Sequence, residues 1–122
     1  MQKEELNFYQ VQNEVYKNNG EIFCKNKTKC YDRSLADVPC SGEGRFDILD
    51  KKSYSAWKIK NIYKYSNLQK KLLKSAILST KINGIIVYST CTMNVTENEN
   101  VINSILNNKE FKIKILPIEN KY

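Results

Sequence analysis

Apolar residues along this 122-residue chain fall into runs with distinct periods. Tyr65, Leu68, Leu72, Leu73, Ala76 and Ile77 share one helical face, with Lys70, Lys71 and Lys74 opposite, which predicts an amphipathic helix over Tyr65–Thr80. Asn83-Gly84 is expected to stop that helix and turn the chain into Ile85-Ile86-Val87-Tyr88, a buried strand that ends abruptly in Ser89-Thr90-Cys91-Thr92. Thr96 with Glu99 three residues on is a capping-box signature, and it predicts a helix to about Asn107 that buries Val101, Ile102, Ile105 and Leu106. Phe111, Ile113 and Ile115 then alternate with Lys112 and Lys114, the period of a further strand over Phe111–Ile118.

The chain before this region carries weaker signals. Met1 to Lys17 fits neither period cleanly and is drawn as a weak helix, followed by an Asn18-Asn19-Gly20 turn and a polar connection through Lys29. Tyr31–Asp37 is a short strand, poor by propensity because of Ser34 and Ala36, and it runs through Pro39 into the flexible loop Cys40-Ser41-Gly42-Glu43-Gly44. Arg45 to Tyr65 reads in two ways. It is a surface segment pinned into the core by Tyr54 and Trp57, or a lid that carries aromatics and lysines over a nucleic acid.

The order β, α, β, α, β is that of a doubly wound α/β arrangement. Residues 1–30 form a poorly defined N-terminal segment and residues 31–122 a single unit without internal repeats. Cys40 and Cys91 each lie just past a strand end, where open α/β sheets bind their ligands.

Charge changes the picture of the partner. Twenty basic against thirteen acidic residues leave a net charge of +7, spread along the whole chain, which favours a polyanion without implying sequence recognition. The same lysines also suit solvated faces. Four cysteines without a leading apolar segment point to an intracellular, reducing location and free thiols. There is no C-x-x-C pair and no histidine, so neither a zinc site nor a dithiol redox centre has its usual ligands or spacing. No stretch has the length of a membrane span.

Asp37-Val38-Pro39-Cys40-Ser41-Gly42-Glu43-Gly44 together with Val87-Tyr88-Ser89-Thr90-Cys91-Thr92 resembles the paired signature of the NOL1/NOP2/Sun family of RNA cytosine-5 methyltransferases. Tyr31-Asp32-Arg33, Trp57, Leu68-Gln69-Lys70-Lys71-Leu72-Leu73 and Glu97-Asn98-Glu99 extend the likeness over about Tyr31 to Leu106. The resemblance implies a Rossmann-like methyltransferase fold that uses S-adenosylmethionine on RNA, either tRNA or rRNA. It also implies that Cys91 is the nucleophile adding to C6 of cytosine. Cys40 then assists loss of the C5 proton and release of the adduct, and Asp37 contacts both the base and the methionine end of the cofactor. No metal is implied.

The family's Gly-rich cofactor loop has no counterpart before Tyr31, where Gly20 is the only glycine. The expectation is therefore a partial Rossmann-like fold, the C-terminal part of a catalytic domain, with the N-terminal half of the sheet missing and supplied by upstream sequence or another chain. Location is expected to be intracellular, in the cytoplasm or, in a eukaryote, the nucleus or nucleolus. The alternative from another class is a non-catalytic basic remnant that binds RNA or a protein. It predicts salt-dependent RNA binding that survives loss of both Cys40 and Cys91.

Overall fold

The structure, a computed structural model, describes residues 14–118. The weak helix expected over Met1–Lys17 lies mostly outside that range, and the part inside it, residues 14–17, is not helical. A short 3-10 turn over Gly20–Lys25 leads to strand β1 (Tyr31–Asp37), and two further 3-10 turns, Glu43–Arg45 and Lys51–Ser53, lie in the segment that follows. Helix α1 (Ile59–Ser79), strand β2 (Thr80–Ser89) and helix α2 (Glu99–Leu106) complete the order.

The two strands form a parallel pair with α1 as the crossover, and Asp37 lies opposite Ser89 at their carboxyl ends. This is a β-α-β unit of the kind from which Rossmann-like sheets are built. The loops that carry Cys40 and Cys91 therefore leave the sheet side by side.

Helix α1 starts six residues before the expected Tyr65. Its most buried line is Ile62, Ser66, Gln69 and Leu73, spaced four, three and four, so the innermost face is half polar and escapes a search for an apolar stripe. At its other end Thr80 is already extended, and its hydroxyl donates back to the Ala76 carbonyl at 2.7 Å while sharing a 2.7 Å bond with Ser34. These bonds explain a serine in the middle of β1.

Asn83-Gly84 does not stop the helix. It lies inside β2, where β1 advances two residues, Tyr31 to Arg33, while β2 advances five, Thr80 to Ile85. Asn83 takes a positive φ of 65° to make this bulge. A Cβ on Gly84 would come within 2.5 Å of Thr80 Cγ2 and 2.8 Å of the Asp32 carbonyl oxygen, so only glycine fits.

The core is small. Leu73, Val101 and Ile105 are buried together, with Ile77, Ile86, Tyr88, Ile102 and Phe111 packed around them. The predicted inner face of α2 is thus in place except for Leu106, which is 37% exposed. Tyr54 and Trp57 take no part in the core.

The capping box does not form. Asn98 precedes the helix, Thr96 donates its N–H to Asn94 Oδ1, and the Thr96 carbonyl accepts from Ser66 Oγ on α1. The alternating run after α2 is not a strand either. Phe111 folds back on the core under Lys74, and residues 112–118 have no neighbouring strand among the described residues to complete a ladder.

One sheet face packs against α1, and the other is largely uncovered among the described residues. Leu35 at 69% exposure and Val87 at 54% point away from the helix on neighbouring strands, in a run whose composition suits burial on both sides. Among the described residues no helix is long and apolar enough to cross a membrane.

Candidate active site

Three residues singled out in the sequence, Asp37, Cys40 and Cys91, meet at the carboxyl edge of the strand pair. Ser89 Oγ donates to Asp37 Oδ1 at 2.7 Å, and the Val38 N–H donates to the Ser89 carbonyl at 3.1 Å, so the chain leaves both strands in register. The Cys91 N–H donates to Cys40 Sγ at 3.1 Å. The Gly44 N–H closes the loop by donating to the Cys91 carbonyl at 2.9 Å. A Cβ on Gly44 would lie 3.0 Å from that carbonyl oxygen, so the small residue permits the close approach of the two loops.

The two thiols differ in environment. Cys91 is exposed at the end of β2, whereas Cys40 is half-buried. Burial pushes the Cys40 thiol above its ordinary 9.0, and the Cys91 side chain adds to the rise, while the N–H groups of Cys91 and Gly42 pull the other way. Burial wins, so Cys40 stays protonated at neutral pH. A thiol whose folded value is raised contributes stability that is fully present below its unfolded value and is lost as pH rises through the folded one. Alkylation by iodoacetamide is accordingly expected to be slower at Cys40 than at exposed Cys30 at pH 8, with the gap closing only in more alkaline buffer, as read by peptide mass spectrometry.

Beneath the Cys40 loop lies a buried polar network that the sequence reading did not anticipate. Glu97 is completely buried, and its carboxylate accepts from the Ser41 N–H at 3.0 Å and from Gln69 Nε2 at 2.8 Å. Gln69, equally buried, also donates to the Pro39 carbonyl at 2.9 Å. Both ends of the Pro39-Cys40-Ser41 backbone are thereby tied to one side-chain pair. Tyr88 of β2 donates its hydroxyl to the Glu97 carbonyl at 2.7 Å, and its phenol is pushed far above its ordinary value by burial and then by the charges of Glu97 and Cys40. The signal for Gln69 was an amide on what should be the apolar face of α1. For Glu97 there was no local signal, because Thr96-Glu97-Asn98-Glu99 reads as a solvated helix start.

Hydroxyl and amide groups fix the Cys91 side in the same way. Thr92 is buried and shares a 3.0 Å hydroxyl bond with Ser41 while donating to Glu43 Oε2 at 3.1 Å. Thr90 donates to Asn98 Oδ1 at 2.6 Å, and Asn98 Nδ2 returns to the Thr92 carbonyl at 3.0 Å. Among the described residues no three side chains converge in a way that suits a metal ion.

The arrangement therefore holds an exposed thiol beside a protonated, half-buried one, with a carboxylate at the adjoining strand end. Residues 3–121 match the family described as 16S rRNA methyltransferase RsmB/F. The chain belongs to this family. It is 33% identical over 100 residues to the ribosomal RNA small subunit methyltransferase F of Erwinia tasmaniensis, a match that covers 82% of this chain and 21% of that protein. It is 38% identical over 87 residues to the tRNA (cytosine(49)-C(5))-methyltransferase of Pyrococcus abyssi, covering 69% of this chain and 27% of that one. The crystal structure of PH0851 superposes with a TM-score of 0.69 at 29% identity, over 78% of this chain and 21% of that chain.

The resemblance read from the two cysteine motifs is thus borne out, as is the partial Rossmann-like fold. The chain spans about a fifth to a quarter of the length of these relatives. Names of the relatives include both an rRNA and a tRNA enzyme.

Proposed function

We propose that this chain is the cysteine-bearing part of an RNA cytosine-5 methyltransferase, residues 31–122 forming the C-terminal part of its Rossmann-like domain. The observation that carries the reading is the juxtaposition of Cys91 and Cys40 through the 3.1 Å bond from the Cys91 N–H to Cys40 Sγ. Cytosine C5 is too weak a nucleophile to accept a methyl group unaided. Addition of the Cys91 thiolate to C6 places an electron pair on C5, which then takes the methyl group, and the Asp37 carboxylate holds the base by accepting from its amino group. A solvent water then takes the C5 proton, the electron pair of the C5–H bond re-forms the C5–C6 double bond, and Cys91 leaves C6 as a thiolate. Cys40 stands beside the C6–S bond as a protonated thiol and assists this release. The target base must be unstacked for a thiol to reach C6.

S-adenosylmethionine supplies the methyl group when bound. Among the described residues one group suits it, the exposed Asp37 carboxylate, which can accept from an ammonium at the strand end. The Gly-rich turn that would cradle the rest has no counterpart in the described segment, so the remaining contacts are assigned to residues outside this chain. A basic RNA-binding remnant shares the lysines but gives no reason for the paired thiols.

The test is a chimera in which this chain replaces the matching segment of the Pyrococcus abyssi relative. The expected product is 5-methylcytosine in RNA, read by mass spectrometry of digested nucleosides. A folded chimera that binds RNA and yields none would overturn the reading.

A further inference from the structure

The segment between Gly42 and α1 lines a cleft that reaches Cys40 and extends away from the thiol pair. It measures about 490 Å3, and its walls include Cys40, Gly42, Arg45, Trp57, Asn61 and Tyr65. At Phe46 and Trp57 it adjoins a second hollow of about 300 Å3 that also contains Ile48 and Tyr54. Phe46 stands edge-on to Trp57 with ring centres 6.3 Å apart, and Tyr54 leans on Phe46 at 5.9 Å. All three rings are 37% exposed, so they are held in place by one another and still present surface to solvent.

Arg45 lies over Gly42, whose positive φ of 78° bends the loop. A Cβ at Gly42 would be 3.0 Å from Arg45 Nη2, so the glycine makes room for the guanidinium against the Cys40 loop. Arg45 is the one charged residue among the cleft walls, and Glu43, Asp47 and Asp50 lie in the same segment of the chain. From Lys51 to Lys74 the chain carries eight lysines and no acidic residue.

We propose that this cleft is a stacking subsite for the base next to the reacting cytosine in the RNA strand, with its phosphate on Arg45. The assignment rests on the reading of the chain as acting on RNA. An apolar partner would leave Arg45 without purpose, and a bare phosphate contact would leave three half-exposed rings without one. A nucleotide carries both a π-face and a charge. Cys40 lines the cleft, which places the stacked base one step from the thiol pair. Unstacking the target is then offset by a new stack for its neighbour.

Trp57 is the only tryptophan, so its fluorescence reports on this cleft alone. The full chain is titrated with a cytosine-containing single-stranded RNA hexamer and with an abasic strand of equal phosphate count. The hexamer is expected to quench Trp57 emission and the abasic strand to leave it unchanged. With labelled strands followed by anisotropy, Trp57→Leu is expected to weaken the hexamer about tenfold and leave the abasic strand unaffected, while Trp57→Phe restores most of the loss. Arg45→Ala weakens both strands. Trp57 is outside the core cluster, so the leucine variant should keep the wild-type circular dichroism spectrum. Equal quenching by the abasic strand, or undiminished hexamer affinity in Trp57→Leu, would overturn the subsite, as would a cleft that RNA does not quench because polypeptide fills it. The two readings separate cleanly. Quenching without 5-methylcytosine in the chimera removes the reaction and keeps the subsite, and 5-methylcytosine without quenching does the reverse.

Discussion

Cys91→Ala is expected to abolish the covalent complex that the active chimera forms with RNA containing 5-azacytidine, and Cys40→Ala is expected to accumulate a complex on ordinary RNA. In 5-azacytidine a nitrogen replaces C5, so no proton can leave from that position after methylation and the C6–S bond persists. Two effects compete over which thiol attacks. The N–H of Cys91 favours a thiolate on Cys40, whereas burial and the adjoining Cys91 side chain oppose it, and the net rise in the Cys40 value decides for the second. Cys91, exposed at the end of β2, is free to reach an unstacked ring. Removing a nucleophile costs on the order of 10^4-fold or more in rate, so the trapped band should vanish on a denaturing gel. Cys40→Ala leaves addition intact and slows release. Trapping that survives in Cys91→Ala and is lost in Cys40→Ala would reverse the assignment.

The parts of this site that could be read in the sequence are those whose chemistry is local. Apolar runs that stop in Pro-Cys-Ser-Gly and Ser-Thr-Cys-Thr mark two strand ends, and parallel pairing brings those ends together, so Asp37, Cys40 and Cys91 converge as expected. The helices between and after them were visible through Leu73, Ile77, Val101 and Ile105. What could not be read depends on a partner distant in the chain. Ser34 looks wrong for a strand until Thr80 bonds it, and Asn83-Gly84 looks like a helix stop until Asp32 is seen beside it. Phe111–Ile118 has a strand's alternation, but alternation supplies no ladder partner. Trp57 and Tyr54 were as consistent with a core as with a surface, and only packing decides between the two. The open sheet face at Leu35 and Val87 shows the same limit from the other side. Local composition there prepares for burial that the described residues do not provide.

Glu97 and Gln69 are the residues whose loss should most damage the fold of the site, although neither touches the reacting atoms. Glu97→Ala leaves the Ser41 N–H and one Gln69 N–H buried without acceptors, at about 1–3 kcal/mol for each. Part of this is offset because a charge no longer has to be desolvated, and the net loss is expected to be about 2–4 kcal/mol. Against a total of about 5–15 kcal/mol for a domain of this size, that is a large fraction. It corresponds to a fall of roughly 10–20 °C in melting temperature. Gln69→Leu acts through the other partner. It strips the Pro39 carbonyl of its donor and leaves the Glu97 carboxylate with the Ser41 N–H alone, so the loss should equal or exceed that of Glu97→Ala. Joining Glu97→Ala with Gln69→Leu removes the stranded charge and its donor together. The double variant should therefore be more stable than the sum of the single losses predicts, by about 1–2 kcal/mol in a urea denaturation cycle. Strict additivity would mean that the two side chains act independently and that the Cys40 loop is held by something else. Iodoacetamide labelling of Cys40 gives an independent reading. If Glu97 and Gln69 hold the loop in its half-buried position, each single variant labels Cys40 faster than the parent at pH 8, under conditions where circular dichroism shows both still folded.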